Sequence, residues 1–235
     1  MIHSPTYLII GNGRLATHIK RYFDLLAVPY LQCTRKNLHD LKKLSKRTNR
    51  ILVLLPDDQI DAFVKKHKAL TNPHAIWIHC SGALSIADAE SAHPLASFSE
   101  NLFDLKFYKD IPFFTEQGRK TFPELFPDLP NPHVAIKPND KPLYHAWSCM
   151  AGNFTTLLWQ GFFKHLKHKH DLPTCLIHPY LLSVSQNLIH SRDPLTGPLK
   201  RNDQKTIERH LGAIDRDVLK NLYQAFVKFH EENKT

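Results

Sequence analysis

The residues near the amino terminus that are best suited to chemistry form a glycine-rich turn. Gly11, Gly13 and Ala16 have the spacing G-x-G-x-x-G/A, in which the first glycine makes a tight turn and the second lets backbone approach a pyrophosphate. An apolar run precedes the turn and a helical repeat of apolar residues follows it, which is the context that the motif requires. The pattern therefore predicts a dinucleotide site, with a turn that binds no ligand as the alternative. The predicted contact residues are Gly11, Asn12, Gly13, Arg14, Leu15 and Ala16.

The end of the second predicted strand indicates which dinucleotide is bound. NAD-binding proteins carry an acidic residue there, about 20 residues after the glycine turn. This chain has Thr34, Arg35 and Lys36 instead. One hydroxyl and two cations suit a 2′-phosphate, because arginine offers a planar fork to two oxygens and lysine a point charge. We therefore expect NADP(H) rather than NAD(H), with a solvated basic loop as the alternative.

Two later strands end in residues that can contact a cofactor or a substrate. Open α/β sheets bind ligands at the carboxyl ends of their strands, and Leu55, Pro56, Ser81 and Gly82 fall at such ends. We expect the first two to contact the nicotinamide ribose, and the last two to hold an anionic group. His93 follows the fourth strand and precedes a proline, so its backbone is extended. It either donates to the substrate or stabilises a crossover loop.

These residues require a frame of alternating strands and helices. Apolar runs and 3.6-residue repeats predict an α/β fold with a Rossmann doubly wound parallel sheet over residues 1–138, followed by an all-α domain over residues 139–235. The change falls after Pro138, where strand patterns end. The predicted strands are 7–10, 30–33, 51–55, 75–79, 111–114 and 133–136. The predicted helices are 38–44, 60–70, 141–170, 180–190 and 204–229, the last broken near Gly212.

Composition narrows the class of protein. The 235 residues are 42% hydrophobic with a formal charge of +9, which suits a folded protein that attracts a small anionic substrate. Lysines and arginines are scattered without a nucleic-acid module, so we expect no nucleic-acid partner. The apolar runs are far shorter than the roughly 20 residues of a membrane span. No signal-peptide pattern is present, and four separated cysteines suggest free thiols, so we expect a cytoplasmic protein with no membrane partner.

A rigid turn in the carboxyl-terminal part offers a second place for an anion. Two prolines stiffen residues 193–198, which present Thr196 close to Arg201. A hydroxyl and a fixed cation can hold a substrate carboxylate. As the alternative, Thr196 caps a helix and Asp203 pairs with Arg201.

Three histidines, His165, His168 and His170, have the look of a metal-binding run. They end a predicted helix among lysines, and no carboxylate is near them in the sequence. A solvated helix end accounts for them better, so we expect no metal. Hydride transfer needs none, because polar groups can stabilise the charge that it moves.

Three short segments, taken together, carry a resemblance to a known family. The segments are 92–98, 144–146 with 153–154, and 195–198 followed by Arg201, Asp203 and His210. In these segments the chain resembles a bacterial family of Rossmann-like proteins whose carboxyl-terminal helical domain is a domain of unknown function. That family is related to the superfamily of 6-phosphogluconate dehydrogenase and pyrroline-5-carboxylate reductase. Some of its members look like an alternative ketopantoate reductase, which supplies pantoate for coenzyme A.

The resemblance implies a catalytic pair on a helix, a lysine followed four residues later by an asparagine. Asn153 matches the asparagine, but Cys149 stands where the lysine is expected. A different group must then donate the proton. His145 is the nearest candidate, since positions 145, 149 and 153 are spaced to lie along one helical face. His145 either assists protonation or bonds a loop carbonyl and fixes the junction of the two domains.

Together these features predict an NADPH-dependent reductase of a small 2-oxo acid, with ketopantoate as the best-fitting substrate. One alternative is an imine reductase of the pyrroline-carboxylate kind, which needs less from a proton donor because an iminium already carries its charge. The other is an NADP(H)-binding regulator without turnover. Aromatic residues around much of one helix, including Phe154 and Phe162, predict packing against a second copy in a homodimer.

Overall fold

A computed structural model describes residues 7–233, and a seven-stranded sheet organises their first part. The order across the sheet is β2-β1-β3-β4-β5-β6-β7. The strands are β1 (Tyr7–Ile10), β2 (Tyr30–Cys33), β3 (Arg50–Val53), β4 (Ile76–His79), β5 (Glu90–Pro94), β6 (Phe113–Glu116) and β7 (His133–Ile136).

The sheet is mostly parallel, and the predicted Rossmann class is confirmed. Strands β1 to β5 run parallel, whereas β6 is antiparallel to β5 and parallel to β7. The predicted parallel sheet thus has one antiparallel pair of strands. Because β5 and β6 are antiparallel neighbours, the chain between them stays at one end of the sheet. Phe98, Phe103 and Tyr108 from this segment pack around His18.

Strand β5 was not predicted, because it is polar. Its sequence, Glu-Ser-Ala-His-Pro, has no run of apolar or β-branched residues. Ser91 is 2% exposed even so, and the polar side chains of β5 find partners on neighbouring elements. His93 accordingly lies within a strand rather than in the crossover loop that the sequence suggested.

Helices connect the strands and form all of the carboxyl-terminal part that is described. Residues 35–40, predicted to lie at or near the start of a helix, form a 3₁₀ turn that leads into α2. The helices are α1 (Arg14–Leu25), α2 (Leu41–Ser45), α3 (Asp57–His67), α4 (Leu105–Asp110), α5 (Phe122–Leu125), α6 (Lys141–Cys149), α7 (Thr155–His170), α8 (His178–His190), α9 (Gly197–Arg201), α10 (Gln204–Ala213) and α11 (Asp217–Glu232).

The core lies on both faces of the sheet, because successive side chains of a strand point in opposite directions. Tyr7 and Ile9 belong to one buried cluster, with Phe23 of α1. Leu8 and Ile10 belong to the other, which also contains Ile60 and Val64 of α3. Burial on both faces explains why β1 and β3 are continuous apolar runs, and why those strands were readily predicted.

The predicted long helix over residues 141–170 is interrupted. A π-helical turn, Met150–Phe154, separates α6 from α7. Such turns within α-helices are frequent at functional sites. The α-helical spacing that was used to place Asn153 therefore holds only as far as Cys149.

The chain divides into two compact units, Met1–Leu158 and Trp159–Thr235. This division differs from the boundary predicted at residue 138, because Lys141 and Tyr144 of α6 bond to the sheet. The second unit contains most of α7 and all of α8 to α11, and Trp159 packs there against Tyr180.

Between residues 7 and 233, no helix combines the length and the apolar character that crossing a bilayer requires.

Candidate functional site

The glycine turn between β1 and α1 is held tightly against β3. Gly11 has φ +117°, and a Cβ atom placed on it would lie 2.3 Å from the carbonyl oxygen of Leu54. Its N–H bonds the Cys33 carbonyl at 3.0 Å. Gly13 is the N-cap of α1, and a Cβ there would meet no atom within 4 Å. Gly11 is thus required by the fold, whereas the space beside Gly13 is open.

The turn opens on a cleft of about 790 Å³ at the carboxyl ends of β1 to β4. The cleft brings together every residue that the sequence predicted for the cofactor, from four separate segments. Its lining also includes Gln32 and Asp57, which the sequence analysis did not select. The predicted residues in the lining are Gly11, Asn12, Gly13, Arg14, Leu15, Ala16, Thr34, Arg35, Lys36, Leu55, Pro56 and Ser81.

The end of β2 presents two cations to this cleft. The Thr34 hydroxyl donates to Asn37 Oδ1 at 3.1 Å and accepts from the Lys36 N–H at 3.3 Å. That hydroxyl is committed to holding the turn. Arg35 and Lys36 are exposed, and neither side chain forms an ion pair or a hydrogen bond with any residue between 7 and 233. Both are free to bind an anion.

Gln32 fixes the glycine turn from β2. Its Nε2 donates to the Gly11 carbonyl at 2.8 Å and to Asn12 Oδ1 at 3.1 Å. Lys20 Nζ then bonds both Asn12 Oδ1 and Gln32 Oε1, each at 3.2 Å. A polar side chain inside an otherwise apolar strand was the available signal for this network.

Ser81 organises the loop after β4. Its Oγ donates to Asp57 Oδ2 at 2.6 Å and accepts from the N–H groups of Ala83 and Leu84. Its own N–H bonds Nδ1 of His79 at 3.3 Å. The hydroxyl proton is therefore committed to Asp57. Asp57 itself lies in the first turn of α3, whose N-cap is Pro56.

A cluster of polar and aromatic side chains lies beside that loop. His93 Nδ1 is 2.9 Å from the Tyr144 hydroxyl, and the His93 and His145 rings meet edge to face at 5.3 Å. His145 Nε2 is 3.6 Å from Cys149 Sγ, so these two residues are in contact one helical turn apart. His145 Nδ1 is buried without a hydrogen-bond partner. We call His93, Tyr144, His145 and Cys149 the His–Tyr cluster.

Gly82 is what allows His145 to lie so close to the loop. A Cβ atom on Gly82 would be 2.3 Å from His145 Nδ1 and 2.9 Å from its Cγ. The sequence predicted that the Gly82 N–H would help to hold an anionic group. The structure places the histidine ring on the side where a Cβ would lie, and the role of the N–H stays a prediction.

Replacing Gly82 by alanine should push His145 out of place and destabilise the protein by roughly 1–3 kcal/mol, since the added methyl overpacks a filled site. Urea unfolding measures the change. In a His145→Ala background the methyl has room, so the same substitution should then cost little. An equal cost in both backgrounds would contradict the close contact.

Burial keeps several groups of this region neutral. It lowers the pKa of His93 to about 4, with help from the charges of His145 and Lys141. It lowers the pKa of His79 to about 3 and raises that of Tyr144 to about 12. Near neutral pH, His79 and His93 are uncharged and Tyr144 keeps its proton.

Lys141 was not predicted as a site residue. It lies on α6, three residues before Tyr144 of the His–Tyr cluster. It is 2% exposed, and its Nζ donates to Glu116 Oε1 at 2.8 Å and to Ser91 Oγ. Arg119 lies 3.5 Å from the other oxygen of Glu116. A lysine at the start of a predicted helix normally faces solvent, so the sequence carried no signal for this ion pair.

The four cysteines are free, and they differ in accessibility. Cys33 and Cys80 are buried, and burial raises the pKa of both thiols, that of Cys80 to about 12. Cys149 is partly exposed and Cys175 exposed. Reactive thiol chemistry is thus confined to the last two.

Asn153 lies in the π-helical turn of the first unit, where its side chain is exposed. Its role remains a prediction. Thr196 and Arg201 belong to the second unit, at the two ends of α9. Thr196 is the N-cap residue of α9, although its side chain makes no capping hydrogen bond. Asp203 accepts hydrogen bonds from Thr206 and, within the described residues, forms no ion pair with Arg201.

The histidines at 165, 168 and 170 lie at the end of α7, as the pattern indicated. Across residues 7–233, no group of three or more His, Cys, Asp or Glu side chains is arranged to hold a metal ion.

The model of a domain of unknown function, DUF2520, matches residues 113–229. The matched segment extends from β6 through most of α11, so it begins within the sheet and includes α6 and its buried lysine. No curated protein matches the chain by sequence.

Solved structures share the fold of this chain over nearly its whole length. A candidate NADP oxidoreductase from Bacteroides fragilis is 18% identical, with TM-score 0.78, covering 98% of this chain and 99% of that chain. A protein from Thermotoga maritima is 23% identical, with TM-score 0.70 and 97% coverage of both chains. A reductive aminase from Aspergillus terreus, bound to NADPH and ethyl levulinate, is 13% identical, with TM-score 0.60 and coverage of 96% and 94%. At these identities the likeness establishes the fold.

Proposed function

We propose that this protein is an NADP(H)-dependent reductase. The observation that carries the proposal is the cleft, in which a tight glycine turn and two cations without a partner among residues 7–233 line one dinucleotide-sized space. The first-turn N–H groups of α1 would bind the pyrophosphate. Arg35 and Lys36 would bind the 2′-phosphate, where an NAD site would carry a carboxylate.

The similar solved structures support the same class. They include an NADP oxidoreductase candidate, an imine reductase bound to NAD+ and a reductive aminase bound to NADPH. The NADP(H) molecule would supply a hydride to the substrate. The chain would orient both partners and supply a proton.

The His–Tyr cluster is the proposed reaction centre, because it adjoins the Ser81–Gly82 loop at one end of the cleft. His145 would donate a proton to the substrate atom that gains negative charge. His93 is neutral at pH 7 and is a poor proton source there. His93 would instead hold Tyr144 in place through their hydrogen bond. Since the Ser81 hydroxyl is committed to Asp57, Ser81 would act by shaping the loop rather than by binding substrate directly.

A small 2-oxo acid is the proposed substrate, and ketopantoate fits best with the resemblance of the sequence. Asn153 would bond the oxo group of this substrate. The binding of a carboxylate by Thr196 and Arg201, in the second unit, is a separate prediction. The net positive charge of the chain favours an anionic substrate of this kind.

An imine is the second candidate substrate. Cys149 occupies the position where a lysine is expected, and an iminium already carries its charge, so it demands less from an acid. The structural likeness to an imine reductase and a reductive aminase favours the same alternative.

Two measurements test the proposed function. Fluorescence titration should show tighter binding of NADPH than of NADH, and NADPH absorbance should fall when ketopantoate or a cyclic imino acid is added. Turnover of the oxo acid alone supports the first substrate class, and turnover of the imino acid alone supports the second. Tight NADPH binding without turnover across a broad carbonyl and imine panel would indicate a regulator, and absent NADPH binding would overturn the proposal.

We also propose a homodimer formed through the helical part. Large apolar side chains of the second unit remain exposed, including Leu188 at 66%, Ile189 at 73% and Val218 at 77%. Exposed apolar patches of this kind mark interaction surfaces. Light scattering should give twice the 27.2 kDa chain mass. Substituting Leu188 and Ile189 by glutamate should shift the mass toward one chain, and a natural protein that is monomeric would refute the dimer.

A further inference from the structure

Helix α6 contacts strands β5 and β6 through two pairs of residues that lie opposite each other on these strands. Strand β5 pairs antiparallel with β6, with Ala92 opposite Thr115. Continuing that register places Ser91 opposite Glu116. Lys141 Nζ bonds both members of this pair. We call this arrangement the lysine rung.

The second contact lies one step further along the same strands. His93 is opposite Phe114 in the register. Tyr144 bonds His93 Nδ1 through its hydroxyl, and its ring packs on Phe114 at 4.5 Å between centroids. We call this the tyrosine rung. Two residues of a strand advance about 6.6 Å, and three residues of a helix advance about 4.5 Å, so both rungs can form together.

Each rung depends on the charge state of one group. Nδ1 of the His93 ring can accept a hydrogen bond from the Tyr144 hydroxyl only while it carries no hydrogen of its own. A protonated ring would donate from both nitrogens. The Lys141 cation bonds Ser91, which lies two residues from His93 on the same face of β5. Its positive charge opposes protonation of the His93 ring.

We propose that Lys141 is a positioning residue: its buried ammonium fixes the first turn of α6 on β5 and β6 and keeps His93 as the neutral acceptor of the Tyr144 hydrogen bond. The inference deepens the proposed function, because His145 follows Tyr144 and is positioned by the same turn. It assigns a task to a cation that the proposed reaction does not otherwise use.

The groups that face His93 determine whether its pKa rises or falls when Lys141 is replaced. From α6 these groups are Lys141, Tyr144 and His145, and the carboxylate of the lysine rung is that of Glu116 on β6. Burial and the charges of His145 and Lys141 all lower the pKa of His93. Removing the cation must therefore raise that pKa, and Glu116 is not among the groups that shift it.

The double variant K141M/E116Q removes the Lys141 charge, which lowers the pKa of His93, together with the Glu116 charge, which does not shift it. Because it removes both charges together, it avoids leaving one buried charge without a partner. NMR titration of the His93 ring, assigned with a His93→Gln variant, should show a neutral ring down to pH 5 in the natural chain. In K141M/E116Q the His93 pKa should move upward from about 4 toward the ordinary value of 6.5. K141R keeps the cation and should keep His93 neutral.

The outcomes are distinct. A folded K141M/E116Q in which His93 is still neutral at pH 5 would overturn the proposal, because a merely structural lysine would leave the titration unmoved. Should that variant fail to fold, K141R decides, and titration of His93 above pH 5 in K141R overturns the proposal. The measurement uses the chain without cofactor. Failure of the natural chain to bind NADPH would therefore overturn the proposed function and leave the assignment of Lys141 standing.

Discussion

Replacing Gly11 by alanine is expected to destabilise the protein by roughly 3 kcal/mol and to abolish NADPH binding. Alanine rarely adopts the positive φ found there, and its methyl would lie 2.3 Å from the Leu54 carbonyl oxygen. Backbone cannot move aside as a side chain can. Urea unfolding followed by circular dichroism measures the first effect, and fluorescence titration with NADPH measures the second.

Gly13→Ala is the matched control for this prediction. Gly13 has φ −77°, and a methyl on it would meet no protein atom within 4 Å. The variant should keep the stability of the natural chain and still bind NADPH more weakly, because the methyl would occupy space needed by the pyrophosphate. Unchanged unfolding of the Gly11 variant would contradict the geometry of the turn.

Removing both cations at the end of β2 should have the largest effect on cofactor choice. In Arg35→Ala/Lys36→Ala the Kd for NADPH should rise about 100-fold, since two charge-assisted contacts of roughly 1.5 kcal/mol each would be lost. The Kd for NADH should barely change, because NADH carries no 2′-phosphate. Titration with both cofactors at one fixed salt concentration measures the difference.

Lys42→Ala/Lys43→Ala controls for net charge. These lysines are exposed on α2, outside the lining of the cleft, and their removal changes the charge of the chain by the same amount. A comparable loss of NADPH affinity in this control would show that the field of the whole protein, rather than a local phosphate site, sets the affinity. Equal weakening toward NADPH and NADH in the first variant would lead to the same conclusion.

The cofactor side of the molecule was predictable because its requirements are local. The tight turn at Gly11 is encoded within a few residues, and strands buried on both faces need continuous apolar runs such as the one in β1. Thr34, Arg35 and Lys36 likewise follow directly from the end of β2. Local spacing was therefore sufficient to place the cleft.

The reaction side was less predictable because it depends on pairing between distant segments. Strand β5 is polar, and it is stabilised by contacts with α6 about 50 residues later. Lys141 has no sequence signal, since only burial beside Glu116 separates it from a surface lysine. The relation of Asn153 to His145 changed for a different reason, as the π-helical turn could not be anticipated from α-helical spacing.

The unequal burial of the cysteines makes the protein convenient to label. With Cys33 and Cys80 enclosed, Cys175→Ser would leave Cys149 as the single accessible thiol. A fluorophore attached there would lie next to His145, within a few ångströms of the Ser81–Gly82 loop. The chain thus offers a natural position for an optical reporter of ligand arrival at the His–Tyr cluster.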